Sequence, residues 1–439
     1  MHITILAYGS RGDVQPYVAL GLELRRAGHE VRLAAPGPFE AFVANHGLEF
    51  APLPGDPPQL ARELVKAGWN GPRIARAIAE YILPLVVQAQ ADVSRACRGA
   101  DAIIHSFLMT MSGHEAALEL DVPEISALIF PVFTRTAAFP NMMFPELPLG
   151  GIYNRLTHDF FTRSFWQGGR LVYGWVRRKH PHLPPLSMWP FSASEGQQPP
   201  VLYGFSPHVI PRPDDWGDNV HVTGYWFLDV APGWQAPDEL LDFLEAGPPP
   251  VYVGFGSMIA DEMRKLTGIA LDALAQTGQR GLLLAGWGGL GGEDLPGHVF
   301  KIDFAPFDWL FPRMAAIVHH GGAGTTAAAL RAGVPAIVVP FTSDQPFWGR
   351  RVYRLGVGPK PIPRKKLTAA KLAAAIRSAT GDQAMRRRAV ELGRRIRAED
   401  GVARAVEVVE RYLATTGRQE GRLLPPVPES AGMAAKARG

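Results

Sequence analysis

The sequence predicts an α/β protein made of two doubly wound parallel-sheet domains that face each other across a cleft. Three observations carry that expectation. A chain of 439 residues is too long for one ordinary core. Short apolar, β-branched segments alternate with helical patterns, as they do when parallel strands are covered on both faces. The alternation restarts near residue 250, after a stretch from Val230 to Pro250 that is rich in Pro and Gly ("APGW", "AGPPP") and marks a linker.

The first half supplies "ITILAYG", "EVRLAAP", "ADAIIHSF" and "EISALIF" as strands; the second supplies "PVYVGFGS", "RGLLLAGW", "AAIVHHGG" and "PAIVVPF". The opening strand runs from Ile3 to Ala7. An amphipathic helix follows Pro16, with Val18, Leu22 and Leu24 apolar and Glu23, Arg25 and Arg26 polar. Between them lies the turn Ser10, Arg11, Gly12, Asp13, Val14, so Asp13 is a charge in a Gly-rich turn between a strand and a helix. After "EISALIF" the pattern loosens into residues 154–186, where Phe160, Phe161, Phe165, Trp166 and Trp175 mix with many Arg residues. That segment is a core-packed helix pair, the apolar wall and lid of a substrate pocket, or a membrane-surface helix with aromatic and basic faces. The expected divisions are a first domain over 1–229, a linker over 230–250 and a second domain over 251–398. A helix over 399–414 crosses back to the first domain, and 415–439 form a disordered tail.

Composition narrows the function. With 47% hydrophobic and 20% charged residues the chain is globular over most of its length. The single cysteine, Cys97, can form no internal disulfide, which suits a reducing compartment and excludes a Cys-rich metal site. No basic leader precedes a long apolar stretch, and no run approaches the roughly 18 apolar residues of a membrane span, so a cytoplasmic protein is expected. Net charge is +4, but Arg386, Arg387, Arg388, Arg394, Arg395 and Arg397 crowd one helical region. They form a solvated face or meet an acidic membrane surface. No aromatic stacking motif accompanies them, so nucleic acid is not an expected partner.

Chemistry concentrates in "AAIVHHGGAGTTAAALRAGVPAIVVPFTSDQPFWGRRV", residues 315–352. A strand ends at Val318, a Gly-rich turn follows, and Thr325 and Thr326 open an Ala-rich helix that Gly333 and Pro335 stop. Free N–H groups at that helix start, from Gly322 to Thr326, can receive a diphosphate, aided by the positive end of the helix dipole. The two Thr hydroxyls and the His320 imidazole add donors. In open α/β sheets such ligands sit at the carboxyl ends of the strands.

This segment resembles the nucleotide-sugar signature of the inverting family 1 glycosyltransferases. "VHHGGAGTT" with "PFTSDQPFWGRRV" is most similar to the sterol 3β-glucosyltransferase branch and the bacterial antibiotic glycosyltransferases near it, and "GSRGDVQPYVALG" fits the same branch. The likeness covers residues 1–413, with 140–225 matching poorly. It implies the two-domain GT-B fold and an enzyme that needs no metal or other cofactor beyond its nucleotide-sugar cosubstrate, UDP-glucose. Consistently, the chain has no Asp-x-Asp pair. The resemblance implies that His320 binds the donor phosphates, with Gly322, Ala323, Gly324 and Thr325 around the diphosphate. It implies that Asp344 and Gln345 hydrogen-bond the sugar hydroxyls. Gly12 borders the donor, and Ser257 of "VGFGSM" lies against the diphosphate, where it can equally be a helix N-cap. Two positions depart from the plant signature. Ala328 stands where a Glu would hold the ribose, and Phe304 stands where a Trp would lie under the base, which leaves Phe304 or Trp287 as the platform.

In most of the wider family the base that deprotonates the acceptor is a His at the end of the first strand. Here the matching position is Asp13, as in the sterol and glycopeptide branches. A carboxylate with a pKa of about 4 is a weak base at neutral pH, and burial would strengthen it. Asp13 can instead cap the helix. His105, at the end of "ADAIIHSF", either pairs with Asp13, touches the acceptor or is a plain rim histidine. "PVFTRTAAFPNMMFPELPLGG" and the aromatic segment after it suit a lipophilic acceptor such as a sterol, triterpenoid, polyketide or flavonoid. Two alternatives remain open: transfer of a TDP-linked deoxysugar to an antibiotic aglycone, and a non-catalytic subunit that only binds sugar nucleotide. The oligomeric state leaves no mark in the sequence.

Overall fold

The computed structural model describes residues 1–56, 80, 83–179, 198–229, 234–256, 260–284 and 295–416. Ser257, Trp287 and the expected tail beyond residue 416 lie outside the described residues, as does the side chain of Trp175.

The first sheet has seven parallel strands. They are β1 (His2–Leu6), β2 (Glu30–Pro36), β3 (Glu49–Leu53), β4 (Ala102–His105), β5 (Glu124–Leu128), β6 (Val201–Tyr203) and β7 (Val220–Val222), in the order β3-β2-β1-β4-β5-β6-β7. Five parallel strands make the second: β8 (Val251–Gly254), β9 (Gly281–Leu284), β10 (Val299–Ile302), β11 (Ala316–His319) and β12 (Ala336–Val338), in the order β10-β9-β8-β11-β12. In both, the chain winds outward one way and then returns to start the other half. That reversal puts a switch point between β1 and β4 and another between β8 and β11.

Strands β3, β6, β7 and β10 were not among those expected from the sequence. Each is short or polar, and β3 ("EFAPL") carries Pro52, which an edge strand tolerates. The expected strands are near-continuous apolar runs because both of their faces are covered. On β1, Ile3 and Ile5 pack with Val14, Tyr17, Val18 and Leu24 of α1 (Arg11–Arg26), while Leu6 packs on the other face with Val93 of α3 (Leu83–Ala96), Cys97 just after it and Ala116 of α4 (Thr110–Leu120). A short helix, α2 (Glu40–Asn45), precedes β3.

The long helix α5 (Gly150–Val176) follows β5. The stretch expected to be a linker holds a further helix, α6 (Asp238–Glu245), whose Leu240 is fully buried. "DELLDFLE" is amphipathic, and its acidic first turn suits a helix N-terminus, which outweighs the flanking Pro and Gly. The second domain adds α7 (Ala260–Thr277), α8 (Phe307–Leu310), α9 (Ala323–Ala332), α10 (Gln345–Arg354), α11 (Ala369–Gly381) and α12 (Gln383–Arg397). The last described helix, α13 (Gly401–Thr416), lies against α1 and places Ala405, Val406, Val409 and Leu413 in the core of the first domain. One apolar cluster runs through both domains, joining Tyr203, Phe205 and Trp216 of the first to Tyr252, Phe347 and Trp348 of the second. Among the described residues no helix is long and apolar enough to cross a membrane.

Candidate active site

Asp13 stands at the β1 switch point, inside a helix rather than in a turn. Helix α1 begins at Arg11, so Asp13 occupies its first turn, three residues after the N-cap Ser10. Pro16 also lies within α1, where it removes only one backbone bond. Asp13 Oδ2 accepts from the Ser10 N–H (2.8 Å) and the Ser10 hydroxyl (2.8 Å), a capping arrangement that fixes the carboxyl. Both bonds go to Oδ2, so Oδ1 has no hydrogen bond to Ser10. Burial pushes the Asp13 pKa above the usual carboxylate range, and the two Ser10 bonds only partly oppose it. Gly9 has φ +139°, and a Cβ there would come within 2.5 Å of Asp13 Oδ2, so the strand reaches the carboxylate only through glycine.

On the other domain, β11 ends at His319 and His320 follows, two histidines with different tasks. His319 is fully buried and its Nδ1 accepts from the Gly321 N–H at 3.1 Å, which shapes the turn. His320 projects between two glycines: a Cβ would lie 2.6 Å from its Nε2 if built on Gly322 and 3.3 Å from its ring if built on Gly256. Burial lowers the His320 pKa to about 4, so the ring is neutral at ordinary pH and donates from one nitrogen. Gly321 (φ +94°) turns the chain, and Gly322 caps α9. Thr325 is half-buried at the start of α9. The Thr326 hydroxyl, expected to be a further donor, instead donates to the Gly322 carbonyl at 2.9 Å and is fully buried. A hydroxyl one turn inside a helix reaches its own backbone more easily than a ligand.

The amino ends of α1 and α9 meet across the two domains. A Cβ on Gly324 would lie 3.5 Å from Gly12 Cα, at ordinary contact distance, so the two helix starts lie against each other. Asp344, the N-cap of α10, closes the same space: its Oδ2 accepts from Trp348 Nε1 at 3.0 Å, and its carboxyl also accepts the Ala323 N–H. Burial, reinforced by the Asp13 charge, raises the Asp344 pKa to about 7 against the pull of those hydrogen bonds. Gln345 Oε1 accepts the N–H groups of Phe341 (2.8 Å) and Thr342 (3.2 Å), so its carbonyl holds the turn and its NH₂ is the part left for a ligand. Ser343 sits in that turn at φ +58°, a conformation rare for a residue with a side chain.

His105 does not join Asp13. It pairs in register with Leu6, so its side chain emerges on the face of α3 and α4, opposite α1, and it packs against Gly113. There its Nε2 lies 3.5 Å from Glu124, whose other oxygen lies 2.7 Å from His114 Nδ1. Phe304 is 48% exposed, and the Arg11 guanidinium stands 5.0 Å from its ring centroid and 4.8 Å from that of Phe42. Arg11 was not singled out in the sequence; its place beside Gly12 was the available signal.

Phe161 and Phe165, offered from the sequence as an apolar pocket wall, belong to a cluster whose members Phe107 and Phe130 sequence reasoning had read only as strand residues. Phe107 after β4, Phe130 and Phe133 after β5, and Phe161 and Phe165 on α5 gather with ring centroids 5.0 to 6.5 Å apart. All but Phe133 are only half-buried. Phe107, Phe130 and Phe133 follow the carboxyl ends of the adjacent strands β4 and β5, beside the β1–β4 switch point.

Residues 3–116 match the glycosyltransferase family 28 N-terminal domain, and residues 289–414 match the erythromycin biosynthesis protein CIII-like C-terminal domain. A sterol 3-beta-glucosyltransferase of Arabidopsis thaliana is 39% identical over 98% of this chain and 68% of its own length. The chain belongs to the sterol 3-beta-glucosyltransferase family. A member of that family from Emericella nidulans is 38% identical over 96% of this chain, which spans 31% of the longer fungal protein. The crystal structure of the kitacinnamycin glycotransferase superposes with a TM-score of 0.70 at 21% identity, over 94% of this chain and 99% of the other. The fold of this sterol 3-beta-glucosyltransferase family member is therefore GT-B, and the protein is a glycosyltransferase.

Proposed function

We propose that this glycosyltransferase is an inverting, metal-independent O-glucosyltransferase that moves glucose from UDP-glucose to a hydroxyl of a sterol-type alcohol, with Asp13 as general base. The observation that carries the reading is the convergence of Asp13 from one switch point with His320, the α9 amino end and Asp344 from the other, close enough for the Asp13 charge to raise the Asp344 pKa.

The division of labour follows from charge. As the bond from the anomeric carbon to the phosphate oxygen breaks, the sugar becomes cationic and the nucleoside diphosphate gains negative charge. Fixed donors at the leaving group lower that barrier, and one well-placed donor is worth about 3 kcal/mol. His320 and the N–H groups of Gly324 and Thr325 supply them, with the positive end of the α9 dipole behind. Asp344 and the Gln345 amide hold the glucose hydroxyls. On the opposite face of the sugar, the acceptor oxygen attacks the anomeric carbon and passes its proton to Asp13 Oδ1. Burial makes that carboxylate a stronger base than an exposed one. Attack from that face converts an α-linked donor into a β-glucoside.

The half-buried phenylalanines support a flat, apolar acceptor, and the curated relatives carry sterol in their names. Full-length protein with radiolabelled UDP-glucose, cholesterol and EDTA is expected to give the β-glucoside. Asp13→Asn, which keeps the volume and can still accept from Ser10, is expected to lower kcat by about 10² to 10⁴ and leave the donor KM near its original value. Full turnover in Asp13→Asn overturns the base assignment. A rate abolished by EDTA overturns metal independence, and loss of transfer to every sterol tried overturns the acceptor class.

A further inference from the structure

We infer that Asp215 is a positioning residue for the acceptor, whose carboxylate clamps the chain after β5 against α5 and so fixes the spacing of the phenylalanine wall. The need for such a group lies in the backbone. Residues 129–149 form neither helix nor strand, yet they carry Phe130 and Phe133. A stretch of that kind has no ladder to order it, so its polar groups must find other partners. Several partners come from elsewhere in the first domain. Asn154 Nδ2 of α5 donates to the Ala137 carbonyl at 2.7 Å, His158 Nε2 of α5 lies 3.1 Å from the Phe139 carbonyl, and Tyr203 Oη lies 2.7 Å from the Thr134 hydroxyl.

Asp215, between β6 and β7, joins three segments at one charged group. Its Oδ1 accepts the Thr136 hydroxyl at 2.6 Å, while its Oδ2 accepts the Ala137 N–H at 2.8 Å and meets Arg155 Nη2 of α5 at 3.4 Å. Thr136 is fully buried, and its oxygen in turn accepts the Ala138 N–H at 3.0 Å. Hydrogen bonds to an ionised acceptor are about twice as strong as those between neutral groups, so this carboxylate outweighs the single neutral bonds around it. The support beneath it is well tied. Arg212 Nη2 donates to the Trp216 and Gly217 carbonyls, both at 2.8 Å, and Trp216 stacks on Tyr203 with ring centroids 5.0 Å apart. The two sides held by Asp215 are also two sides of the wall. Phe133 lies just before Thr136, and its ring stands 6.3 Å from that of Phe161 and 5.0 Å from that of Phe165, on the same helix as Arg155. A flat apolar ligand depends on that spacing, because a gap of about 0.5 to 1 Å already forfeits a quarter to a half of each dispersion contact. Thr136, Ala137, Arg155 and Asp215 all belong to the first domain, so loosening them spares the donor turn that opens α9. The use of the clamp for an acceptor rests on the proposed function. The clamp itself does not.

Two measurements on the full-length protein separate the clamp from its use. Hydrogen–deuterium exchange read by mass spectrometry needs no acceptor. Asp215→Ala is expected to speed exchange in residues 131–140 about tenfold and to leave the turn before α9 unchanged. Steady-state kinetics with cholesterol and UDP-glucose reads the use. The cholesterol KM is expected to rise about tenfold and the UDP-glucose KM to stay within about twofold, a split that a general loss of folding would not give. Asp215→Asn keeps one acceptor oxygen, and Thr136→Val removes one of the bonds at nearly constant shape. Both are expected to give smaller rises of the same kind, and they carry the comparison where Asp215→Ala does not fold. Exchange in residues 131–140 that stays at the wild-type rate overturns the inference, and so does a cholesterol KM that rises no more than the UDP-glucose KM. Wild type that transfers to no sterol, beside the expected change in exchange, defeats the proposed acceptor class and leaves the clamp standing.

Discussion

At the scale of the residue, Asp344 shows what it costs to assemble the site before a ligand arrives. Its carboxyl has an ordinary pKa of 3.8 in an unfolded chain and a pKa of about 7 in the folded protein, so the native state holds its proton longer. The stability this contributes is fully present below the unfolded value and is lost as the pH rises through about 7. Asp344→Asn cannot ionise and can still accept the Trp348 N–H. The variant is expected to melt at a higher temperature than wild type at about pH 8, with the gain shrinking at about pH 5, while its donor KM rises because the sugar contact is weakened. Equal melting temperatures at both pH values would refute the burial of this charge. Asp13 and Asp344 were legible in the sequence through its resemblance to the glycosyltransferase signature, although both also stand at helix starts. The Ser10 bonds were not, since the pattern of apolar residues hid a helix that starts five residues before Pro16. The position of His105 could have been read from strand alternation, because Ile104 and His105 must face opposite ways.

Elements decide what the residues can reach. Helix α13 belongs in sequence to the second domain but packs on α1, the helix that carries Asp13, through Ala405, Val406, Val409 and Leu413. It therefore anchors the base as well as tying the two halves together. Leu413→Ala, at a position only 4% exposed, is expected to cost about 2 to 4 kcal/mol in urea unfolding followed by circular dichroism. A loss below about 0.5 kcal/mol would mean that the helix is not part of the first core. The amphipathic pattern of "VARAVEVVERYL" predicts such a helix, and its return to the first domain was expected; that its partner there is α1 was decided by the fold. Helix α6 shows the converse: local composition pointed to a linker, and burial of Leu240 made a helix of it.

Across the whole molecule, the two domains are held in register by polar ties beside the shared apolar cluster. Glu146 of the first domain lies 3.5 Å from Arg350 Nε and 3.1 Å from Arg354 Nη1 of the second, the Ser206 hydroxyl donates to Glu399 at 2.6 Å, and Phe139 meets Phe347 with ring centroids 6.2 Å apart. Glu146→Lys replaces two attractions with two repulsions at a partly buried position. It is expected to cost about 1 kcal/mol at low ionic strength and less at high salt, read from urea midpoints at the two salt concentrations. A loss independent of salt would assign Glu146 a packing role instead.

By itself the sequence determined the alternation of strands and helices, the Gly-rich turn that opens α9, and the residue types that meet a diphosphate and a sugar. Those are properties of short segments, set by hydrophobic period, backbone freedom at glycine and the chemistry of adjacent side chains. Only the tertiary structure decided that Gly12 and Gly324 touch, that His105 turns away to Glu124, and that five phenylalanines from three separate segments form one wall. Contacts of that kind depend on strand order and on how the two sheets are joined. Both follow from burying apolar surface across the whole chain, which no local pattern records.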